Sequence, residues 1–155
     1  MISVIKTNQG KLIKNAPIIF LAGPTSRNGD DIWRNECISL FTLHSHKDVN
    51  LIVPEPFLGN YKEQVEFEHN YLTNSKVVLF WVPRDFSKEH YALTTNIEFG
   101  FFVSPFLIQR PNLVYGRPDN SDKNQYLDYC YEKFYNKSPH KNLSDVVKES
   151  ISFLT

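Results

Sequence analysis

Short, nearly continuous apolar runs alternate along this chain with stretches where apolar residues recur every three or four positions. The runs are Ile18–Ala22, Val49–Val53, Val77–Val82 and Leu113–Tyr115. They are closed by Gly23-Pro24, Pro54-Glu55-Pro56, Pro83 and Gly116-Arg117-Pro118 respectively. Runs this short, bounded by turn residues, predict strands buried on both faces. The spacing between them predicts helices. Trp33, Cys37, Leu40 and Phe41 mark one over Ile32–Leu43, with Asp30 or Asp31 able to cap it. Val65, Glu68 and Leu72 share a face of a second helix, Gln64–Thr73. Thr94 or Thr95 opens a third, running through Ile97, Phe101 and Phe102. Two more cover Lys123–Tyr135 and Ser144–Leu154. Ahead of all this, Ser3–Lys6 and Lys11–Ile13 flank Asn8-Gln9-Gly10, which allows a small leading hairpin or an extended segment over residues 1–16.

Buried strands alternating with helices predict parallel βαβ units, and hence an open, mostly parallel α/β sheet with helices on both faces. Ligands of such sheets sit beyond the carboxyl ends of the strands. That places interest on Gly23–Asn28, Pro54–Phe57, Pro83–Thr95 and Gly116–Asn120 before any motif is considered.

Length and composition narrow the picture. At 155 residues the chain suits a single domain, 1–155, whose last segment, 136–155, carries the C-terminal helix. Seventeen basic residues balance seventeen acidic ones. With no basic excess to neutralise a phosphate backbone, polymeric nucleic acid is not an expected partner. Two cysteines far apart in sequence, Cys37 and Cys130, form neither a disulfide framework nor a zinc pattern. They read as reduced thiols. No apolar run approaches the length of a membrane span and residues 1–14 lack a signal-peptide stretch, so a soluble cytoplasmic protein with no membrane partner is expected. The five histidines show no ligand spacing, and neither metal nor cofactor is assigned.

Three groups of residues bear on chemistry. In Gly23-Pro24-Thr25-Ser26-Arg27, a glycine permits close approach of the backbone, two hydroxyls donate and an arginine can fork onto an anion. The same residues also make an ordinary strand-to-helix turn. In Thr94-Thr95-Asn96-Ile97-Glu98, a carboxylate near a helix start would stay ionised, and Ile97, Phe99, Phe101 and Phe102 would shield it from water. A dry, ionised carboxylate is what attack on a glycosidic carbon requires. A plain capping glutamate is the competing explanation. Glu68 shares the apolar face of its helix, where burial would raise its pKa toward that of a general acid; pairing with a cation is the alternative. Trp33-Arg34, Trp81 and Arg84-Asp85 add aromatic and charged groups nearby. Trp81 reads as core, whereas Trp33 suits either core or a stacked base.

Five motifs occur in order: Leu21-Ala22-Gly23-Pro24, Trp33-Arg34-x-Glu36, Phe80-Trp81-x-Pro83-Arg84, Thr94-Thr95-Asn96-x-Glu98-Phe99-Gly100 and Tyr115-Gly116-x-Pro118. The set resembles the nucleoside 2-deoxyribosyltransferase-like family over about Ile18 to Asp128. The resemblance implies a flavodoxin-like sheet and cleavage of the N-glycosidic bond of a nucleoside or nucleotide, with the deoxyribosyl group passed to another nucleobase or to water. It implies Glu98 as the nucleophile and Glu68 as the acidic residue near the departing base. Gly23, Pro24, Thr25, Ser26 and Arg27 would line the sugar or phosphate pocket, with Trp33 beside it. Where the family keeps an Asp upstream of the nucleophile, this chain has Ala92, so Thr95 and Asn96 would take over the sugar hydroxyls. A homo-oligomer is also implied, with Asn120 or Asn124 available to a neighbouring pocket. A nucleoside 5′-monophosphate N-glycosidase and a non-catalytic nucleotide sensor are the alternative readings.

Overall fold

The computed structural model describes residues 1–7, 9–25, 32–55, 59–89 and 91–154. Five strands form one sheet: β1 (Ile2–Ile5), β2 (Ile18–Ala22), β3 (Val49–Ile52), β4 (Val77–Trp81) and β5 (Asn112–Gly116). Their order is β1-β3-β2-β4-β5 and every pairing is parallel. The helices are α1 (Ile32–His44), α2 (Tyr61–Asn74), α3 (Leu93–Val103), α4 (Gln125–Tyr135) and α5 (Leu143–Ser152). This is the open parallel α/β sheet that the alternation predicts, in the flavodoxin-like arrangement that the resemblance implies, with a short strand added at the amino-terminal edge.

The two faces of the sheet fill with opposite sets of strand residues, as a period of two demands. Ile19, Leu21, Leu51, Val77 and Leu79 pack with Trp33, Cys37 and Phe41 of α1 and with Val146 and Val147 of α5. Phe20, Val78, Phe80, Leu113 and Tyr115 pack with Leu72 of α2, Phe99 and Phe102 of α3, and Leu127 and Tyr131 of α4. Trp81 is buried in the first of these clusters, as its place in the strongest apolar run suggests.

Element ends differ from the sequence expectation for local reasons. The side chain of Asn60 accepts from the Lys62 amide at 2.9 Å, which starts α2 a turn earlier than Gln64. Lys123 has a φ of 51°, a left-handed conformation that cannot continue a helix, so α4 begins after Asn124. At α3 neither Thr94 nor Thr95 caps. The cap residue is Ala92, also left-handed (φ 52°, ψ 42°), with no side-chain bond to the helix. Asp30 and Asp31, the expected caps of α1, lie outside the described residues.

The leading segment is not a hairpin between Ser3–Lys6 and Lys11–Ile13. Ile2–Ile5 instead pairs in parallel with Val49–Ile52, and only a Lys6–Gln9 bridge closes the turn. Asn50 takes up the second stretch: its side chain accepts from the Ile13 amide at 2.8 Å and donates to the Ile13 carbonyl at 3.0 Å. That buried amide ties residues 11–16 to β3 and leaves them nothing to pair with as a strand. At the other edge, His140 bridges Gly116 in parallel and so adds a single ladder step beside β5.

The chain runs from β2 to β3 on one side and then crosses to β4 on the other. The strand order therefore reverses between β2 and β4, and the crevice beyond their carboxyl ends is the switch point where ligands of such sheets bind. No helix among the described residues is long and apolar enough to cross a membrane.

Candidate active site

β2 ends at Ala22, and Gly23 turns the chain under α1. A Cβ at Gly23 would sit 2.2 Å from the Trp81 carbonyl oxygen and 2.8 Å from the Trp33 ring, so only glycine lets the loop lie this close to β4 and α1. The loop is held from above by Trp33 and Arg34. Trp33 Nε1 donates to the Pro24 carbonyl at 3.0 Å. The Arg34 guanidinium donates to the carbonyls of Leu21 (3.3 Å) and Gly23 (2.9 Å), and to the Thr25 hydroxyl oxygen (3.1 Å). Its carbon lies 4.5 Å from the centroid of the Trp33 ring. A cation that is only 1% exposed needs such acceptors, because burial of an unsolvated charge is otherwise prohibitive.

The sequence motifs alone give Arg34 no role of its own. The signal was present: Arg34, Cys37 and Phe41 fall on one stripe of α1, and a cation on a buried stripe demands an anion or a set of carbonyls. Arg34 has the carbonyls, and it also acts electrostatically on Glu98.

Glu98 of α3, Glu68 of α2 and Arg34 of α1 thus form one electrostatic cluster, drawn from three helices. Glu98 is half-buried, and its pKa is pushed up to about 7. Burial is the main cause, the neighbouring Glu68 carboxylate adds to it, and Arg34 opposes both. The expectation that a helix start keeps Glu98 ionised is therefore reversed in sign. α3 begins at Leu93, which puts Glu98 in the second turn, beyond the reach of the terminal dipole. The expected apolar shield is half present. Phe99 and Phe102 are buried beneath the helix, whereas Ile97 and Phe101 face solvent.

Glu98 has no hydrogen-bond partner among the described residues. Glu68, also half-buried, accepts from Gln64 Nε2 at 2.9 Å one turn back on α2. Glu66 lies on the outer face of the same helix and is exposed, as expected.

The remaining site residues divide. Thr95 is buried. Asn96 accepts a short bond through its side-chain oxygen from Arg84, a buried arginine that also donates to the Lys123 carbonyl at 2.9 Å. That oxygen is thereby committed to fixing α3 on the loop after β4. Pro24 is buried and serves as the acceptor for Trp33, and Thr25 accepts from Arg34. Ser26 and Arg27 lie outside the described residues. Asn124 is buried, and its amide makes a short bond to the Ser121 hydroxyl, so it is engaged within its own chain.

A cleft of about 310 Å³ opens on the same side of the sheet ends, walled by Trp33, Glu36, Pro83, Arg84, Lys88 and Asn120. Its size is in the range of small-molecule sites. Glu98 and Glu68 are not on its walls; Trp33, stacked on Arg34, links it to the carboxylate pair. A more open depression of about 630 Å³ lies at Lys137, His140, Lys148 and Glu149. It is remote from this chemistry, and its Glu149 is already paired with His140 and Lys137.

At the end of β5, Arg117 grips Asp128 through Nε (3.1 Å) and Nη2 (2.6 Å), and the Tyr115 hydroxyl donates to the same carboxylate at 2.9 Å. This triad fastens α4 to the sheet. No protein-family model matches the chain, and no curated protein matches it.

Proposed function

We propose that this chain cleaves the N-glycosidic bond of a 2-deoxyribonucleoside and passes the deoxyribosyl group to a second nucleobase or to water. The observation that carries the reading is the cluster of two carboxylates and one buried arginine at the switch point of the sheet.

Glu68 and Glu98 act on each other through space, and charge on Glu68 opposes ionisation of Glu98. Glu98, with a pKa of about 7, is about half ionised at neutral pH and increasingly so above it. Its carboxylate is partly stripped of water and accepts no hydrogen bond among the described residues, which leaves its electron pairs available to an electrophilic carbon. In the forward half-reaction Glu98 attacks the anomeric carbon. The C–N bond breaks, its electron pair departs with the base, and Glu68 supplies a proton to that base. In the second half, a new base or a water attacks the same carbon, expels Glu98 and returns a proton to Glu68. Two displacements at one carbon retain its configuration.

Arg34, clamped by the carbonyls after β2, keeps Glu98 from rising further in pKa and so preserves its ionised form at neutral pH. The Gly23–Thr25 loop is fixed by the same guanidinium, which ties the geometry of the sugar-facing loop to that of the nucleophile. The five motifs shared with the deoxyribosyltransferase-like family support the same assignment of roles.

Incubation with a 2-deoxy-2-fluoro nucleoside followed by mass spectrometry tests it: a covalent sugar adduct should map to Glu98. Chromatography of products from mixed deoxynucleosides, deoxynucleotides and free bases then sorts transfer from hydrolysis and nucleoside from 5′-monophosphate. An analogue that binds without forming an adduct, together with no base release from the panel, overturns the enzymatic reading in favour of a nucleotide sensor.

A further inference from the structure

The arginines at the carboxyl end of the sheet are served unequally. Arg34 donates to the carbonyls of Leu21 and Gly23, and Arg117 forks onto Asp128. Arg84, only 4% exposed, has one bond from Nη1 to the Lys123 carbonyl and one from Nη2 to the Asn96 side-chain oxygen. Its Nε is sealed from solvent and has no acceptor. Asp122 acts on it through space, but that carboxylate accepts from the Phe86 amide at 2.8 Å and forms no ion pair with Arg84 among the described residues. A buried guanidinium with neutral acceptors alone carries an uncompensated charge, which is costly unless an anion is brought to it.

Arg84 is on the wall of the 310 Å³ cleft, and Lys88 adds a second cation there. Ile32, Trp33, Pro83 and Pro118 make the rest of the wall largely apolar. Two acids share the cleft. Asp85 is occupied by the Ser87 hydroxyl at 2.6 Å and by Lys88 at 3.4 Å. Glu36 is exposed, so water and salt screen its charge, whereas the buried charge of Arg84 is screened far less. The balance favours a negative guest.

We infer that this cleft binds a small anion, a phosphomonoester or a carboxylate, carried on a flat apolar body. The anion would supply the acceptor that Arg84 Nε lacks, with Lys88 as a second positive charge, and the body would lie against Trp33, Pro83 and Pro118. The site is separate from the carboxylate pair, since neither Glu98 nor Glu68 lines it. Its occupancy nevertheless bears on α3. That helix starts at Ala92 without a side-chain cap, and the Arg84–Asn96 bond ties its first turn to the loop after β4. An anion that fixes Arg84 therefore firms the helix that carries Glu98.

Phenyl phosphate has no N-glycosidic bond, so it tests the site without testing the proposed reaction. Trp33 is on the cleft wall and Trp81 is in the core, so tryptophan fluorescence should report filling as a saturable change that added salt weakens. Benzoate and inorganic phosphate are titrated in the same way. Tighter binding of phenyl phosphate than of benzoate assigns a phosphomonoester, and the reverse assigns a carboxylate; either supports the site. Arg84→Lys keeps a cation but removes Nε, and should weaken binding about tenfold. Lys88→Glu reverses an exposed charge with the fold retained, and should weaken it by a similar factor. Amide hydrogen exchange over residues 93–96 should slow when phenyl phosphate is bound. No saturable response to either aromatic probe overturns the proposal, as does binding that both variants leave unchanged. Inorganic phosphate binding as tightly as phenyl phosphate overturns the apolar part of the assignment, and unaltered exchange overturns the link to α3.

Discussion

Glu98→Gln isolates the energetic cost of a half-buried carboxylate. In the folded chain Glu98 keeps its proton up to about pH 7, against 4.5 for an unperturbed carboxyl. Between those values the folded state binds more protons than the unfolded one, so stability falls as pH rises through this window. Below about pH 4.5 both states are protonated and Glu98 contributes no penalty. Above about pH 7 both are ionised and the whole penalty is present, worth about 3 kcal/mol for a displacement of that size. Glutamine is nearly isosteric with the protonated acid and never ionises. The variant should therefore match wild type at pH 4 and exceed it by about 3 kcal/mol at pH 8. For a chain of this length that corresponds to a rise in Tm of about 6–12 °C. Thermal melts of both proteins by circular dichroism, across pH 4 to 8, read this directly. A Tm difference that does not change with pH, or a variant less stable than wild type at pH 8, would refute the burial and the like-charge repulsion assigned to Glu98. The same substitution should abolish base release while leaving nucleoside binding nearly intact, so one variant becomes more stable and inactive together.

Glu68→Gln removes the like charge beside Glu98, so the acidic limb of kcat/KM should move to lower pH; an unmoved limb would mean the two carboxylates do not sense each other. Gly23→Ala forces a methyl group into the Trp81 carbonyl and the Trp33 ring, and should cost about 2–4 kcal/mol or prevent folding, as read by urea unfolding. Ala92→Gly relieves a left-handed alanine at the start of α3 and should stabilise the chain by about 0.5–1 kcal/mol, visible as a small rise in the urea midpoint.

The sheet was legible because its strands are buried on both faces, and such strands write themselves as unbroken apolar runs closed by proline or glycine. All four runs became strands, and the five helices followed from apolar spacing. What escaped were features set by single side chains at a distance. β1 is too short and too mixed to announce a parallel partner 47 residues away, and the Asn50 amide that holds residues 11–16 out of the sheet acts across 37 residues. The starts of α2, α3 and α4 moved because Asn60, Ala92 and Lys123 decide them through cap bonds or left-handed backbone, and threonine at a plausible cap position says nothing about the conformation of the residues before it.

At the candidate site, residue identity was easier to read than electrostatic sign. The carboxylates of Glu98 and Glu68 are both legible from their helices, and in the fold Glu68 adds to the raised pKa of Glu98. The sign of the shift at Glu98 depends on where α3 begins, on how far burial outweighs the helix dipole, and on a second carboxylate thirty residues earlier. None of these is local in sequence. Arg34 shows the converse. Its position on the buried stripe of α1 was readable, but its acceptors are backbone carbonyls of Leu21 and Gly23, and a carbonyl leaves no trace in a sequence. The open face of α3 departs from the expected apolar shield for a related reason. A helix apolar on all sides suggests a shielded Glu98, but the sheet supplies only one wall, so Ile97 and Phe101 are left to solvent and to whatever packs on them.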